Sequence, residues 1–386
     1  MKKIFALLFI ICTSSMFGQQ VITKKYQSEY LNGIRNLRIY IPEGHDTDSI
    51  SNYPLAIVLD AEKLFDLYVG NAKIYAETDN APKQIIVGID MKETRVKDVS
   101  FDPLTSAMTK GSNNFYLFIR DELIPYIEGA YKTSPFLTIV GQGTSANFST
   151  YFLREKLQIF NAYICLNGTF SDDINRQIES YKLEKLKKED NTFYIYIAGN
   201  PFKSKKRKVL IDQLGTYLKS FEVPNLNVVY NDFKDSPSAT SIMSEAMGRS
   251  FAKIFEIYSG ISKIEFEEKV KALTPPDAIT YLETKYLDIE FLFGSNIGIR
   301  EQDIFAIEGI IIDQENGDYL DDFGKMILKV YPNSHLGDYY LGLYYETGKN
   351  YKRALEMYRK GYSKINPDDP KADLFYQNIE RVLGKR

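Results

Sequence analysis

The chain has 386 residues, 44% of them apolar and 26% charged, with 48 Lys and Arg against 51 Asp and Glu. That length suits two folded units, and the composition excludes a disordered tail or a low-complexity linker. The net charge of −3 offers nothing to nucleic acid or an anionic membrane, and 2 His and 2 Cys beside 29 Tyr and 24 Phe leave few bases, thiols or metal ligands.

Lys2 and Lys3 precede an apolar run from Ile4 to Cys12, and Thr13, Ser14 and Ser15 lead on to Gly18 and Gln19. A charged start, a short apolar middle and a small-residue exit predict a secretory signal peptide over residues 1–19, too short to span a bilayer. Ile10 and Ile11 ahead of Cys12 argue against lipidation, which wants a small residue there. Loss of the two lysines takes basic residues from 48 to 46 against 51 acids, a charge of −5. The expected location is the periplasm, with no transmembrane segment after cleavage. Only Cys165 then remains, within Tyr163-Ile164-Cys165-Leu166, where a small buried hydrophobe is expected over a reactive thiol and there is no disulfide framework.

Residues 20–260 read as an α/β unit. Leu37 to Ile41 alternates and ends at Pro42, which predicts a half-exposed strand near a sheet edge. Leu55 to Leu59, Ile85 to Ile89, Leu137 to Val140, Ala162 to Leu166, Phe193 to Ala198 and Leu226 to Tyr230 are short runs apolar on both faces, as a covered parallel sheet requires. Between them Asn114 to Tyr131, Ser145 to Arg154 and Val209 to Ser220 have helical spacing. Lys205-Lys206-Arg207-Lys208 reads as a solvated loop ahead of the last of these, or as a site for an anionic partner. The alternation predicts a mostly parallel sheet with helices on both faces.

Tyr53-Pro54-Leu55-Ala56-Ile57-Val58-Leu59-Asp60, then Ile86-Val87-Gly88-Ile89, then Asp121-Glu122-Leu123-Ile124-Pro125-Tyr126-Ile127, stand in an order that resembles the esterase D-like branch of the α/β-hydrolases, across about residues 26–258. That branch includes carboxylesterases and siderophore esterases. The resemblance implies a serine in a G-x-S-x-G elbow after the strand Leu137 to Val140 and a histidine in a loop after the last strand. Here the elbow reads Gly141-Gln142-Gly143-Thr144-Ser145, with Gly143 at the serine's position. A glycine has no oxygen with which to attack an acyl carbon. Sliding the elbow to Ser145 would place that serine in the first helical turn, where an N-cap role is expected. The base loop is Asp235-Ser236-Pro237, with Pro237 at or beside the histidine's position, and no histidine occurs between His45 and His335. Both histidines read as surface or capping residues. Ala61 stands where the resembling enzymes keep a glycine near the oxyanion hole. No catalytic set is therefore assigned.

Asp172-Asp173 and Asp321-Asp322 read as solvated acidic pairs, and Gly141-Gln142-Gly143 lacks the third glycine of a dinucleotide loop. No metal or cofactor is implied. Residues 261–386 read as helical. Pro275-Pro276-Asp277 starts a helix, and Asp303 to Ile312 and Asp318 to Tyr331 form a hairpin about Asn316-Gly317. Tyr340-Leu341-Gly342, Tyr345, Gly348, Tyr351, Ala354, Tyr358, Gly361 and Asn366-Pro367 resemble a tetratricopeptide unit, with Leu374 to Leu383 as a closing helix. Tyr340, Tyr345, Tyr351 and Tyr358 are candidate partner-binding residues.

The expected protein is a non-catalytic, exported esterase-like chain that binds an envelope protein. By analogy of compartment and domain type it is placed as an accessory or plug subunit of a type 9 secretion translocon. The alternative is an active carboxylic-ester hydrolase with another catalytic arrangement.

Overall fold

The protein is described here from a computed structural model. It covers residues 20–47, 51–199, 204–295, 297–312, 317–366 and 368–385. The signal segment 1–19, Asn316 and Pro367 lie outside the described residues.

Eight strands form one sheet: β1 (Gln20–Ser28), β2 (Gly33–Ile41), β3 (Tyr53–Val58), β4 (Ile85–Ile89), β5 (Thr133–Gln142), β6 (Ala162–Leu166), β7 (Phe193–Gly199) and β8 (Leu226–Asp232), in the order β1-β2-β4-β3-β5-β6-β7-β8. β1/β2 and β2/β4 pair antiparallel, and every other pair is parallel. The strand read from Leu37 lies one position in from the edge, because β1 covers it in register from Ser28 opposite Gly33 to Gln20 opposite Ile41. β1 itself carries no apolar run, and its polar sequence QVITKKYQS suits an edge.

Side chains of each central strand divide between two cores. Leu55 and Ile57 of β3, with Tyr163 and Cys165 of β6, face one layer, while Ala56, Val58, Ala162 and Ile164 face the other. The first layer holds α2 (Arg95–Val99), α3 (Lys110–Leu117), α4 (Ile124–Ala130), α5 (Thr144–Ser149), α6 (Ile174–Ser180) and α7 (Lys205–Lys219), around buried Phe115, Phe118 and Phe148. The helix read from Asn114 starts at Lys110 and widens to a π turn over Phe118–Leu123. Thr109 caps its start by accepting from Ser112 N. α1 (Ala61–Glu77) and α8 (Ala239–Ile254) cover the second face.

The described residues that follow form helices: α9 (Lys263–Glu265), α10 (Pro275–Phe293), α11 (Glu301–Ile312), α12 (Leu320–Val330), α13 (His335–Thr347), α14 (Tyr351–Tyr362) and α15 (Lys371–Leu383). Thr274 caps α10 and prolines fill its first turn. The second core runs without a break from β3 into α10, α11 and α12. At the junction, the Phe293 ring lies 4.9 Å from Phe136 of β5, 5.6 Å from Phe255 and 5.9 Å from Tyr258. Arg300 Nε donates to Asp79 Oδ2 at 2.6 Å, and Asn52 N to Gly294 O at 3.2 Å.

Candidate functional site

In a parallel α/β sheet, chemistry collects at the carboxyl ends of the strands, where loops lead into helices. β5 reaches that edge at Gln142 and turns through Gly143 into α5. Gly143 has φ 60° and ψ −121°, a conformation that an L side chain adopts only under strain. Its N–H donates to Leu166 O at 3.0 Å, and its carbonyl accepts from Thr169 N at 2.8 Å. The turn therefore has an elbow's backbone without a nucleophile's side chain.

Above that turn lies a group with no signal in the sequence. Asp60 stands between β3 and α1 in the left-handed region, with φ 52°, and is fully buried. Its side chain does not cap α1. Asp60 Oδ1 accepts from Arg95 Nε at 2.5 Å, and Oδ2 accepts from Ser145 Oγ at 2.5 Å and from Arg95 Nη2 at 3.2 Å. Arg95 Nη1 donates to Thr144 Oγ1 at 2.7 Å, and Nη2 to Gln142 O at 2.8 Å. A Cβ built on Gly143 would stand 3.6 Å from Arg95 Nη2 and 3.6 Å from Thr169 Oγ1. The guanidinium thus fills the space beside Gly143, held by four acceptors.

Ser145 is not the N-cap of α5, because Gly143 holds that position and the serine lies inside the helix, fully buried. Its Oγ reaches Asp60 Oδ2 and Gln142 O, the latter at 2.8 Å, and accepts from Gln142 N at 2.8 Å. A hydroxyl so enclosed has no path to an acyl carbon. A guanidinium offers hydrogen-bond donors and no acceptor, so Arg95 does not take the place of a general base.

The base loop between β8 and α8 is a capped helix start. Pro237 and Asp235 are exposed, Ser236 is buried, and Ser238 Oγ accepts from Ser241 N at 3.0 Å. The segment Asn167-Gly168-Thr169 joins this loop to the elbow: Asn167 N donates to Ala198 O at 2.7 Å and its Nδ2 to Ala239 O at 3.3 Å, while Thr169 N holds Gly143. The structure therefore brings residues 141–145 and 235–237 to one edge of the sheet.

The histidines lie elsewhere, and both are more enclosed than expected. His45 is 8% exposed, with its ring 5.3 Å from Tyr53 and 5.9 Å from Tyr131, at the end of the sheet opposite Gly143. Its Nδ1 meets Asp46 Oδ1 at 2.9 Å. His335 opens α13, with Glu301 3.6 Å from its Nε2, and burial holds its pKa below the ordinary value.

The run Lys205 to Lys208 is the first turn of α7, not a loop, because Ser204 Oγ caps it by accepting from Arg207 N at 3.3 Å. Lys206 pairs with Asp172 at 2.6 Å and Lys208 with Asp232 at 2.8 Å. Asp173 pairs with Arg176, and Asp321 with Lys325 at 2.5 Å. Among the described residues no three His, Cys, Asp or Glu side chains gather as metal ligands, and no helix is long and apolar enough to cross a membrane.

Of the four candidate partner-binding tyrosines, Tyr340 and Tyr358 are fully buried, and their hydroxyls donate to Glu308 and Glu346 at 2.9 Å each. Both belong to the core of the helical unit, which removes them from any docking surface. Tyr345 and Tyr351 are half-buried beneath Arg353 and Lys385, at 5.5 and 5.9 Å from the ring centroids.

Residues 28–201 match the family model described as "Putative esterase". A structure of an uncharacterised protein from Capnocytophaga ochracea superposes with a TM-score of 0.83 at 25% identity, over 95% of this chain and all of that one. An IroE-like serine hydrolase from Shewanella oneidensis aligns at 20% identity with a TM-score of 0.57, over 81% of this chain and 98% of its own. The BES protein from Bacillus cereus follows at 19% and 0.51, over 64% of this chain and 99% of its own. No curated protein matches. The fold is thus an α/β-hydrolase-like sheet followed by a helical domain.

Proposed function

We propose that the chain is an exported pseudo-hydrolase: an esterase-like scaffold that carries out no ester hydrolysis and acts through protein contacts in the periplasm. The observation that carries this reading is Gly143 at the nucleophile position, with Arg95 hydrogen-bonded across the elbow beside it. Ester hydrolysis of this type needs a hydroxyl with a base in reach. Of the hydroxyls that follow Gly143, that of Ser145 is sealed against Asp60 and that of Thr144 accepts from Arg95 Nη1. Export rests on the signal-like segment 1–19.

The C-terminal helices supply the contact surface in this reading. α13 and α14 form a hairpin of tetratricopeptide type, whose close crossing depends on small residues. A Cβ on Gly342 would stand 2.4 Å from the buried Tyr358 ring. Short helical arrays of this kind bind peptides and proteins. An accessory role in an outer-membrane secretion machine, with the type 9 translocon as the specific instance, follows by analogy of compartment and domain type.

Hydrolysis of p-nitrophenyl acetate and a long-acyl ester by the chain from Gln20 onward tests the first part. No turnover above background is expected, and turnover abolished by Ser145→Ala would overturn it. Affinity purification of a C-terminally tagged chain from envelope membranes tests the second, since a chain recovered without a stoichiometric partner leaves no accessory role.

A further inference from the structure

Asp277, Thr280, Tyr281, Thr284, Lys285 and Asp288 recur at helical spacing along one face of α10 and form one wall of a cavity of about 1150 Å³. The opposite wall includes Tyr194 and Asn227 at the amino ends of β7 and β8, with Tyr75 of α1 and the end of α8. The cavity therefore lies at the edge of the sheet away from Gly143, between the α/β unit and the helices. A second cavity, of about 440 Å³, has none of the elbow residues in its lining either.

The lining combines aromatic and aliphatic groups with five carboxylates and three lysines, of which Lys253 and Lys285 are ion-paired within it, so the acids stay in excess. Ile74 and Ile264 stand at the rim with 56% and 69% of their surface exposed, unusual for isoleucine on a water-facing helix. Most carboxylates here are committed. Glu265 accepts from Tyr281 Oη at 2.6 Å and from Lys285 Nζ at 3.1 Å, Glu256 pairs with Lys253 at 2.5 Å, and Asp277 accepts from Thr274 Oγ1 at 2.6 Å. Glu268 and Asp288 have no donor or counter-ion among the described residues, but Glu268 is exposed to water whereas Asp288 is half-buried, and that burial raises its pKa. A carboxylate withdrawn from water without a counter-ion is a standing electrostatic cost that a cation would relieve. The tyrosine faces nearby favour the same sign of charge. The volume exceeds the roughly 300–1000 Å³ of sites for small molecules.

We propose that this groove docks an extended segment of a partner protein, with a lysine or arginine side chain on Asp288 and apolar neighbours against Tyr194, Tyr281 and Ile264. The inference builds on the protein-contact reading above and moves the contact from the terminal hairpin to the junction of the two units.

A positional library of fluorescein-labelled hexapeptides, with lysine, arginine, glutamate or alanine fixed at one central position, tests it by fluorescence anisotropy on the whole chain from Gln20. The lysine and arginine pools are expected to bind about tenfold more tightly than the other two, the scale of one charge-assisted hydrogen bond. Asp288→Asn should abolish that difference. Thr284→Trp, at an exposed position, should weaken binding of every pool by filling the groove. Equal binding of all pools, binding of none, or a lysine preference that survives Asp288→Asn overturns the proposal, as does tight binding of phenethylamine in place of peptide. The two readings fail separately. A tagged Asp288→Asn chain that keeps its envelope partner removes this groove and leaves the pseudo-hydrolase, whereas ester turnover by the wild-type chain removes the pseudo-hydrolase and leaves the groove.

Discussion

Arg95 and Asp60 form a salt bridge at 2.5 Å, and the same guanidinium reaches Gln142 O and Thr144 Oγ1 on either side of Gly143. Asp60 is fully buried and the Arg95 side chain is 29% exposed, so the pair shields its acid from water while its cation closes the elbow. Truncating one partner leaves the other charge uncompensated. Arg95→Met is therefore expected to destabilise the chain by about 3–5 kcal/mol in urea unfolding, and Arg95→Met with Asp60→Asn should recover a large part of that loss.

Gly143→Ser restores the missing hydroxyl in name. The nearest atoms to its Cβ, at 3.6 Å, leave room, but φ 60° is unfavourable for serine, so a loss of about 1–2 kcal/mol is expected. With Arg95 beside it and no imidazole on the base loop, the variant should hydrolyse p-nitrophenyl acetate no faster than wild type. Gly143→Ser with Pro237→His should stay inactive while Arg95 keeps its bonds to Thr144 and Gln142, and measurable turnover would refute the blocking role of Arg95.

Gly342→Ala probes the terminal hairpin. Its Cβ would fall 2.4 Å from Tyr358, whose hydroxyl is tied to Glu346, so the ring has nowhere to retreat. Overpacking of this kind costs about 1–3 kcal/mol. A lowered melting temperature, with faster amide exchange in α13 and α14, is the expected result.

Glu346 supports the same hairpin from α15 through Arg381 at 2.7 Å and Lys385 at 3.1 Å. Hydrogen bonding to Arg381 lowers its pKa from 4.5 to about 2. The stability it contributes is complete above pH 4.5 and is lost as the pH falls towards 2. Glu346→Gln should therefore lower stability at pH 7 and flatten its pH dependence between 4.5 and 2, as measured by urea midpoints across that range.

Cys165 is the single thiol of the chain from Gln20 onward, and burial pushes its pKa up to about 12. Modification by a disulfide reagent at pH 8 should be undetectable in the native protein and become stoichiometric in urea. Fast native labelling would contradict the packing of β6 against α5.

The parallel strands were legible in sequence because burial on both faces leaves continuous apolar runs: the runs at Ile85–Ile89 and Ala162–Leu166 coincide with β4 and β6. β1 was not, since a polar edge strand lacks that pattern. Gly143 and Pro237 could be read as substitutions only through the resemblance to an enzyme elbow and loop. Arg95 was invisible: it sits on a five-residue helix without periodicity, and its partners Asp60 and Thr144 lie 35 and 49 residues away. Tyr340 and Tyr358 look like surface aromatics of a binding groove, yet Glu308 and Glu346 accept their hydroxyl protons and let the rings enter the core.

The aromatic contact of Phe293 with Phe136 has a mechanical consequence. Phe136 belongs to β5, the strand that ends at Gly143, and Phe293 ends the helix that lines the groove at Asp288. A tensile load applied to α10 by a docked partner would pass through interlocked rings into a central strand, which resists shear along its hydrogen-bonded neighbours on both sides. The sheet would then serve as an anchor plate for whatever docks at α10.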